Sequence, residues 1–200
     1  MLRHRGNAGY SLIELMVVVT IIAVVSALVL PGMISAMKER RCQQAAVSVL
    51  DAYRQVRSRA MFRGRAQLLV ASQTTSPAGP AIRFTAYEGS TSSCRTSTFP
   101  IGDATRVTLS LDLSATAYSE DGVTAQFSLP AGTTNLELCY TPLGTALFRQ
   151  TSTEAFSNDS TTMGSGGVFQ VDVQRRVGGS DLGARRRVVI PLGGNPRMRT

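Results

Sequence analysis

From Leu12 to Leu30 the chain is apolar apart from Glu14, Thr20 and Ser26, and the apolar character continues past Pro31 and Gly32 through Met33, Ile34 and Met37. Such a stretch is long enough to span a bilayer as one helix. From Ser35 onward the pattern changes without a break. Ala45, Ala46, Val49, Leu50, Tyr53, Val56 and Ala60 recur at helical spacing, while Arg40, Arg41, Arg54, Arg57, Arg59 and Arg63 occupy the remaining positions. That is one apolar stripe on an otherwise basic helix, and Gly64 is the expected stop. Counted from Tyr10, the helix has about 54 residues and a length on the order of 80 Å. Pro31 removes a backbone donor and clashes with the preceding turn, so a kink is expected there; the alternative is that one helix ends and a second begins near Ile34.

Beyond residue 64 the period shortens to two. Strands are expected at 67–71, 81–87, 106–113, 125–129, 135–140, 146–149, 167–173 and 186–190, separated by Gly, Pro, Ser and Asp clusters. Residues 151–165 are a polar run that reads as an exposed loop. A long helix followed by many strands predicts an α+β fold, with the second half of the helix packed across antiparallel sheet. Two hundred residues, 18 Gly, 8 Pro and no Trp fit one β-rich domain behind an N-terminal helix.

Charge is unevenly spread. Residues 1–65 carry 10 Lys/Arg against 3 Asp/Glu, residues 66–174 carry 4 against 9, and residues 175–200 carry 7 against 1. An anionic partner should therefore meet the helix or the tail. The chemistry for catalysis is sparse. The single histidine is His4, and no CxxC pair, phosphate-binding loop or HExxH occurs. Acids such as Glu120, Asp121 and Asp159 lack the spacing of metal ligands. No enzyme activity, cofactor or metal is expected.

Glu14 is the anomaly, because a carboxylate in hydrocarbon costs about 2.5–3.5 kcal/mol near mid-helix. Arg3, His4 and Arg5 before the apolar core, with Val25, Ser26 and Ala27 within it, also suit a secretory signal. Glu14 and the helical pattern that resumes directly after Met37 argue against removal at that point.

Gly9, Tyr10, Ser11, Leu12, Ile13, Glu14, Leu15 and Met16 resemble, in order, the N-terminal signature of type IV prepilins, including type II secretion pseudopilins, with Tyr10 where Phe is usual. The resemblance implies a pilin-like fold. Residues 1–9 would be a leader removed by prepilin peptidase, residues 10–37 the transmembrane and filament-core half of the helix, residues 38–64 its amphipathic half, and residues 65–200 a β-rich domain with a basic tail. It further implies cleavage after Gly9, methylation of the new amino group on Tyr10, and an assembly role for Glu14, with Pro31 at the family's helix irregularity. The implied location is the bacterial inner membrane, single-pass with the body in the periplasm, and later the tip of a pilus or pseudopilus among other minor and major pilins or pseudopilins. Lys38, Arg40 and Arg41 would then lie on the external side, against the usual charge bias, so orientation rests on the leader.

Leu50, Tyr53, Val56, Arg57, Ala60 and Arg63 with residues 66–70, then residues 138–144 and 185–193, are similar to the GspH/FimT group of minor pilins and pseudopilins, to which FimU also belongs. If the body is external, Cys94 and Cys139 are candidates for a disulfide, with Cys42 left on the helix; three thiols are the other reading. Arg185 and Arg187 would share one face of a strand and, with Arg197 and Arg199, could track phosphates. Some FimT-like minor pilins take up DNA, so DNA is a possible partner. With no aromatic residue among these arginines, such binding would be non-specific.

Gly9→Val should leave the leader attached, seen by mass spectrometry as an unshifted N-terminus; a processed N-terminus in that variant would remove Gly9 from the cleavage site.

Overall fold

The structure is a computed structural model that describes residues 11–127, 135–150, 152–158, 168–191 and 195–199. Gly9 and Tyr10 lie outside the described residues. The chain divides into two compact units, with the division between Lys38 and Glu39.

Both units contain part of α1, Leu12–Arg63, which is helical throughout and shows no second start near Ile34. Ser11 precedes its first residue, and the Ser11 carbonyl accepts from the amides of Glu14 and Leu15 at 3.0 and 3.2 Å. Gly64 closes the helix: its φ of +64° places it in the left-handed region that glycine adopts without a steric penalty. Its amide donates to the Ala60 carbonyl at 3.1 Å, which satisfies an otherwise orphaned acceptor.

In the second unit, residues 39–63 of α1 pack on two antiparallel sheets. The first contains β1 (Gln67–Ser76), β2 (Gly79–Glu88), β3 (Val107–Asp112), β5 (Asn135–Tyr140) and β6 (Ala146–Arg149) in the order β3-β2-β1-β5-β6. The second contains β4 (Val123–Phe127), β7 (Val168–Val177), β8 (Ser180–Pro191) and β9 (Arg197–Arg199) in the order β4-β7-β8-β9. A short helix α2, Thr116–Ser119, precedes β4. The arrangement is the α+β, pilin-like one. Several strands exceed the span their periodicity suggests. β1 and β2 continue to a tight hairpin at Ser76 and Gly79, and β7 and β8 continue to one at Val177 and Ser180. These tips are polar, so alternation ends before the ladder does. β9, with three residues, is too short to show a period, and the sequence pattern does not predict it.

The apolar stripe is the core. Cys42, Ala45, Ala46, Val49, Tyr53, Val56 and Ala60 are buried against Leu69, Phe84, Leu138, Phe169, Val171, Val188 and Ile190. Small residues and aromatics share this interface, and Tyr53 meets Phe84 edge-on with ring centroids 5.7 Å apart. The Tyr53 and Tyr140 hydroxyls are buried and have no hydrogen-bond partner among the described residues. Burial pushes both phenols above their ordinary pKa.

The opposite face of the first sheet carries its own small core. Leu68 alternates with Leu69 and so points away from α1, joining Ala66, Cys94, Cys139 and Phe156, with Phe99 and Leu147 beside them. Cys94 and Cys139 form a disulfide with Cα atoms 5.9 Å apart, fastening the segment after β2 onto β5. On the same face Glu137 and Arg149 are paired at 2.6 Å, with the Arg149 guanidinium 4.3 Å from the centre of the Phe156 ring. Cys42 stays a free, buried thiol, its pKa raised by burial against the opposing pull of Arg186.

One ion pair ties β8 to α1 inside the second unit. Arg186 Nη1 lies 2.6 Å from Glu39 Oε1, the Arg186 side chain is only 10% exposed, and Glu39 is 32% exposed. Gly183 makes room for it, since a Cβ at that position would stand 2.5 Å from Glu39 Oε2.

Arg186→Met should remove about 1.5–3 kcal/mol, the scale of a hydrogen bond to a charged group, and lower the unfolding midpoint by several degrees. Arg185→Ala, at a half-exposed position, should stay within about 0.5 kcal/mol. Thermal unfolding of the detergent-solubilised chain followed by circular dichroism compares the two; equal shifts would show that Arg186 has no special structural part.

Candidate functional site: the apolar helix segment and an arginine face

In the first unit every described residue from Ser11 to Met37 whose burial is assigned is exposed. Leu12 and Leu28 are 79% and 78% exposed, and Val17, Val18, Ile21, Ile22, Val24 and Val25 expose half or more of their surface. Soluble surfaces do not carry apolar patches of this size without a use for them. The segment has the length and composition to cross a membrane. Within it Thr20 and Ser35 turn their hydroxyls back onto the carbonyls of Val17 and Gly32 at 2.8 and 2.9 Å, which hides their polarity inside the helix. Glu14 has no such partner among the described residues. It stands in the first turn of α1, three positions after Ser11, where the exposed amides of a helix start favour a negative charge. The Ser-x-x-Glu spacing of residues 11–14 is the sequence signal for this local effect.

The arginines of the tail separate into two groups. Arg186 points into the second unit and is spent on Glu39. Arg185 and Arg187 point to the outer face of the second sheet, where Arg187 pairs in register with Arg199 and Val189 with Arg197. All four outer arginines, with Val168, Gln170 and Val189, line a shallow hollow of about 420 Å³. Strand alternation brings one acid onto this face. Asp172 accepts from Arg187 Nε at 2.7 Å and from Arg187 Nη2 at 3.2 Å, and lies 3.9 Å from Arg185 Nη1. Its hydrogen bonds hold the Arg187 guanidinium above its ordinary pKa. Arg185 also donates to Gln174 Oε1 at 3.3 Å. Among the described residues no carboxylate pairs with Arg197 or Arg199. The face is therefore cationic but partly neutralised, and among the described residues no aromatic ring lines it. Asp172 lies far from the arginines in sequence, and only the β7–β8 register places it beside them.

Residues 4–30 match the family model of the prokaryotic N-terminal methylation motif. No curated protein and no solved structure matches the chain. The matched motif, which takes in the first part of the exposed apolar helix, fits membrane anchoring and pilus assembly and points to a structural subunit. These findings support a type IV prepilin-like chain with a class III signal at its N-terminus.

Proposed function

We propose that the protein is a minor pilin or pseudopilin of the GspH/FimT/FimU group, a subunit that primes or caps a type IV pilus or a type II secretion pseudopilus. The observation that carries this reading is the methylation motif over residues 4–30, which takes in the start of a helix whose described apolar residues from Leu12 to Met37 are exposed. In this reading prepilin peptidase cuts after Gly9 and the Tyr10 amine is methylated. The apolar half of α1 anchors the subunit in the inner membrane with the body in the periplasm. On assembly the same surface passes from lipid to neighbouring helices, both apolar, so burial changes little while packing is gained.

Glu14 supplies register. Its carboxylate is costly in hydrocarbon unless paired, and the Tyr10 amine of a neighbouring subunit is the complementary charge that leader removal creates. A neighbour out of register leaves both groups unpaired. Glu14→Ala should insert and lose its leader normally but enter filaments poorly, measured as the ratio of filament-bound to membrane-bound protein; an unchanged ratio would sink the pairing.

A second reading is favoured by the outer face of β7, β8 and β9, where four arginines meet one aspartate. The same scaffold would then hold DNA by its phosphates, through contacts that weaken steeply as salt rises. The body, residues 38–200, should retard double-stranded DNA at low salt, and the combined Arg185→Ala, Arg187→Ala and Arg197→Ala changes should abolish the shift. Absence of any shift would leave the structural role alone.

A further inference from the structure

Two antiparallel sheets have four outer edges, and among the described residues three of them are flanked, bridged or blunted by charge. β4 has β2 of the other sheet beside it. β6 is bridged by the segment after it, since Phe148 and Ser157 exchange N–H···O bonds at 2.9 Å each way. β9 has three residues, two of them exposed arginines, and short, charged strands resist further pairing. β3 is the exception. Val107–Asp112 reads Val-Thr-Leu-Ser-Leu-Asp, with no Lys, Arg or Pro. Its ladder shifts register opposite Ala86 and Tyr87, and from Leu109 onward it is regular.

The direction of its backbone groups follows from one bond. The Leu113 amide donates to the Ile82 carbonyl at 3.0 Å. Antiparallel alternation then turns Leu109 and Leu111 toward β2, and turns the N–H and C=O groups of Ser110 and Asp112 away from it. Among the described residues nothing pairs with these outward groups. The side chains on either side are also graded: Leu109 and Leu111 are half-buried at the margin of the core, Ser110 is exposed, and the Asp112 carboxylate is held by Arg83 at 2.7 Å.

A hollow of about 780 Å³ opens at the start of this edge, lined by Arg59, Arg65, Arg106, Val107 and Thr108 among others. Its two carboxylates are already engaged. Glu88 lies 3.9 Å from Arg65, and Asp103 accepts from the Thr105 amide and hydroxyl at 2.9 and 2.6 Å. Arg59 donates to the Thr108 carbonyl at 2.8 Å, which places its guanidinium at the beginning of β3. Arg106 has no carboxylate within 4 Å among the described residues, and the Thr105 hydrogen bonds, helped by the Arg106 charge, hold the Asp103 carboxyl below its ordinary pKa.

We propose that β3 is an acceptor edge for an extended segment of a second protein chain, which adds as an antiparallel strand along residues 109–112 and sets a terminal carboxylate against Arg59 and Arg106. Alternating outward N–H and C=O groups are matched by another extended backbone. Antiparallel addition brings the C-terminal end of the incoming strand to the start of β3, where the arginines lie. Residues of that strand opposite Leu109 and Leu111 are apolar and cover the margin of the core, and the residue opposite Ser110 is polar. The site is separate from the arginine face of β8 and β9 and does not depend on whether that face binds DNA or α1 enters a filament.

The test uses the full chain in detergent micelles and a fluorescein-labelled peptide, Thr-Val-Thr-Val-Asp with a free C-terminus. Fluorescence anisotropy should show saturable binding, and amide exchange at Ser110 and Asp112 should slow on adding the peptide. A neutral version, Thr-Val-Thr-Val-Asn with an amidated end, should bind about tenfold more weakly, and so should the acidic peptide on Arg106→Ala. Ser110→Pro removes an outward donor that the native ladder does not use, so it should abolish binding while the unfolding midpoint is retained. If that variant fails to fold, the exchange rates of the unaltered chain decide. No saturable binding, binding without protection of Ser110 and Asp112, or equal affinity for the acidic and neutral peptides would each overturn the proposal.

Discussion

The apolar surface of residues 12–37 is the constraint to which the rest of the chain answers. A helix surrounded by Leu, Ile, Val and Met needs a non-aqueous neighbour on all sides, and the described residues from Ser11 to Met37 whose burial is assigned are exposed. Bilayer and helix bundle both satisfy that demand. Two polar residues in the segment, Thr20 and Ser35, bond to their own helix, a solution that depends only on local geometry. Glu14 has no counterpart of that kind and stands where the helix start favours its charge.

The second unit solves a different problem with the same helix. Residues 39–63 bury one stripe of small and medium side chains, and the two sheets close over it from β1, β2 and β5 on one hand and β7 and β8 on the other. Because β1 alternates, Leu69 faces α1 while Leu68 faces away, so the first sheet needs covering on both sides. The disulfide between Cys94 and Cys139, the Glu137–Arg149 pair and Phe156 make up that second cover. Satellite cores of this size have little apolar area to bury, and covalent closure offsets the chain entropy that so small a cluster overcomes only in part.

Arginine is the commonest charge in the chain, and its copies have unlike environments. Arg186 is locked onto Glu39, Arg149 is folded over Phe156, and Arg187 is held by Asp172. Arg197 and Arg199 stand free of carboxylates among the described residues. A count of charges therefore overstates the cationic surface; burial and partner decide how much of each charge reaches solvent.

Much was legible from residues alone because it rests on short-range periodicity. A period of 3.6 marks the long helix, Gly64 its end, and a period of two each of the eight longer strands. The motif at the N-terminus is likewise contiguous. What stayed hidden depends on register between distant segments. The ladder of β7 with β8 brings Asp172 to Arg187, β8 with β9 turns a three-residue tail into a strand, and the crossing of β8 under α1 joins Arg186 to Glu39. Two adjacent arginines, Arg186 and Arg187, are indistinguishable in sequence, yet one points into the core margin and the other to solvent. The sequence by itself determined the long helix and where the eight longer strands lie, because those choices are settled within a few positions. Only the tertiary structure decided which charges are spent and which edge stays open, because partners in a sheet are set by pairing across the fold.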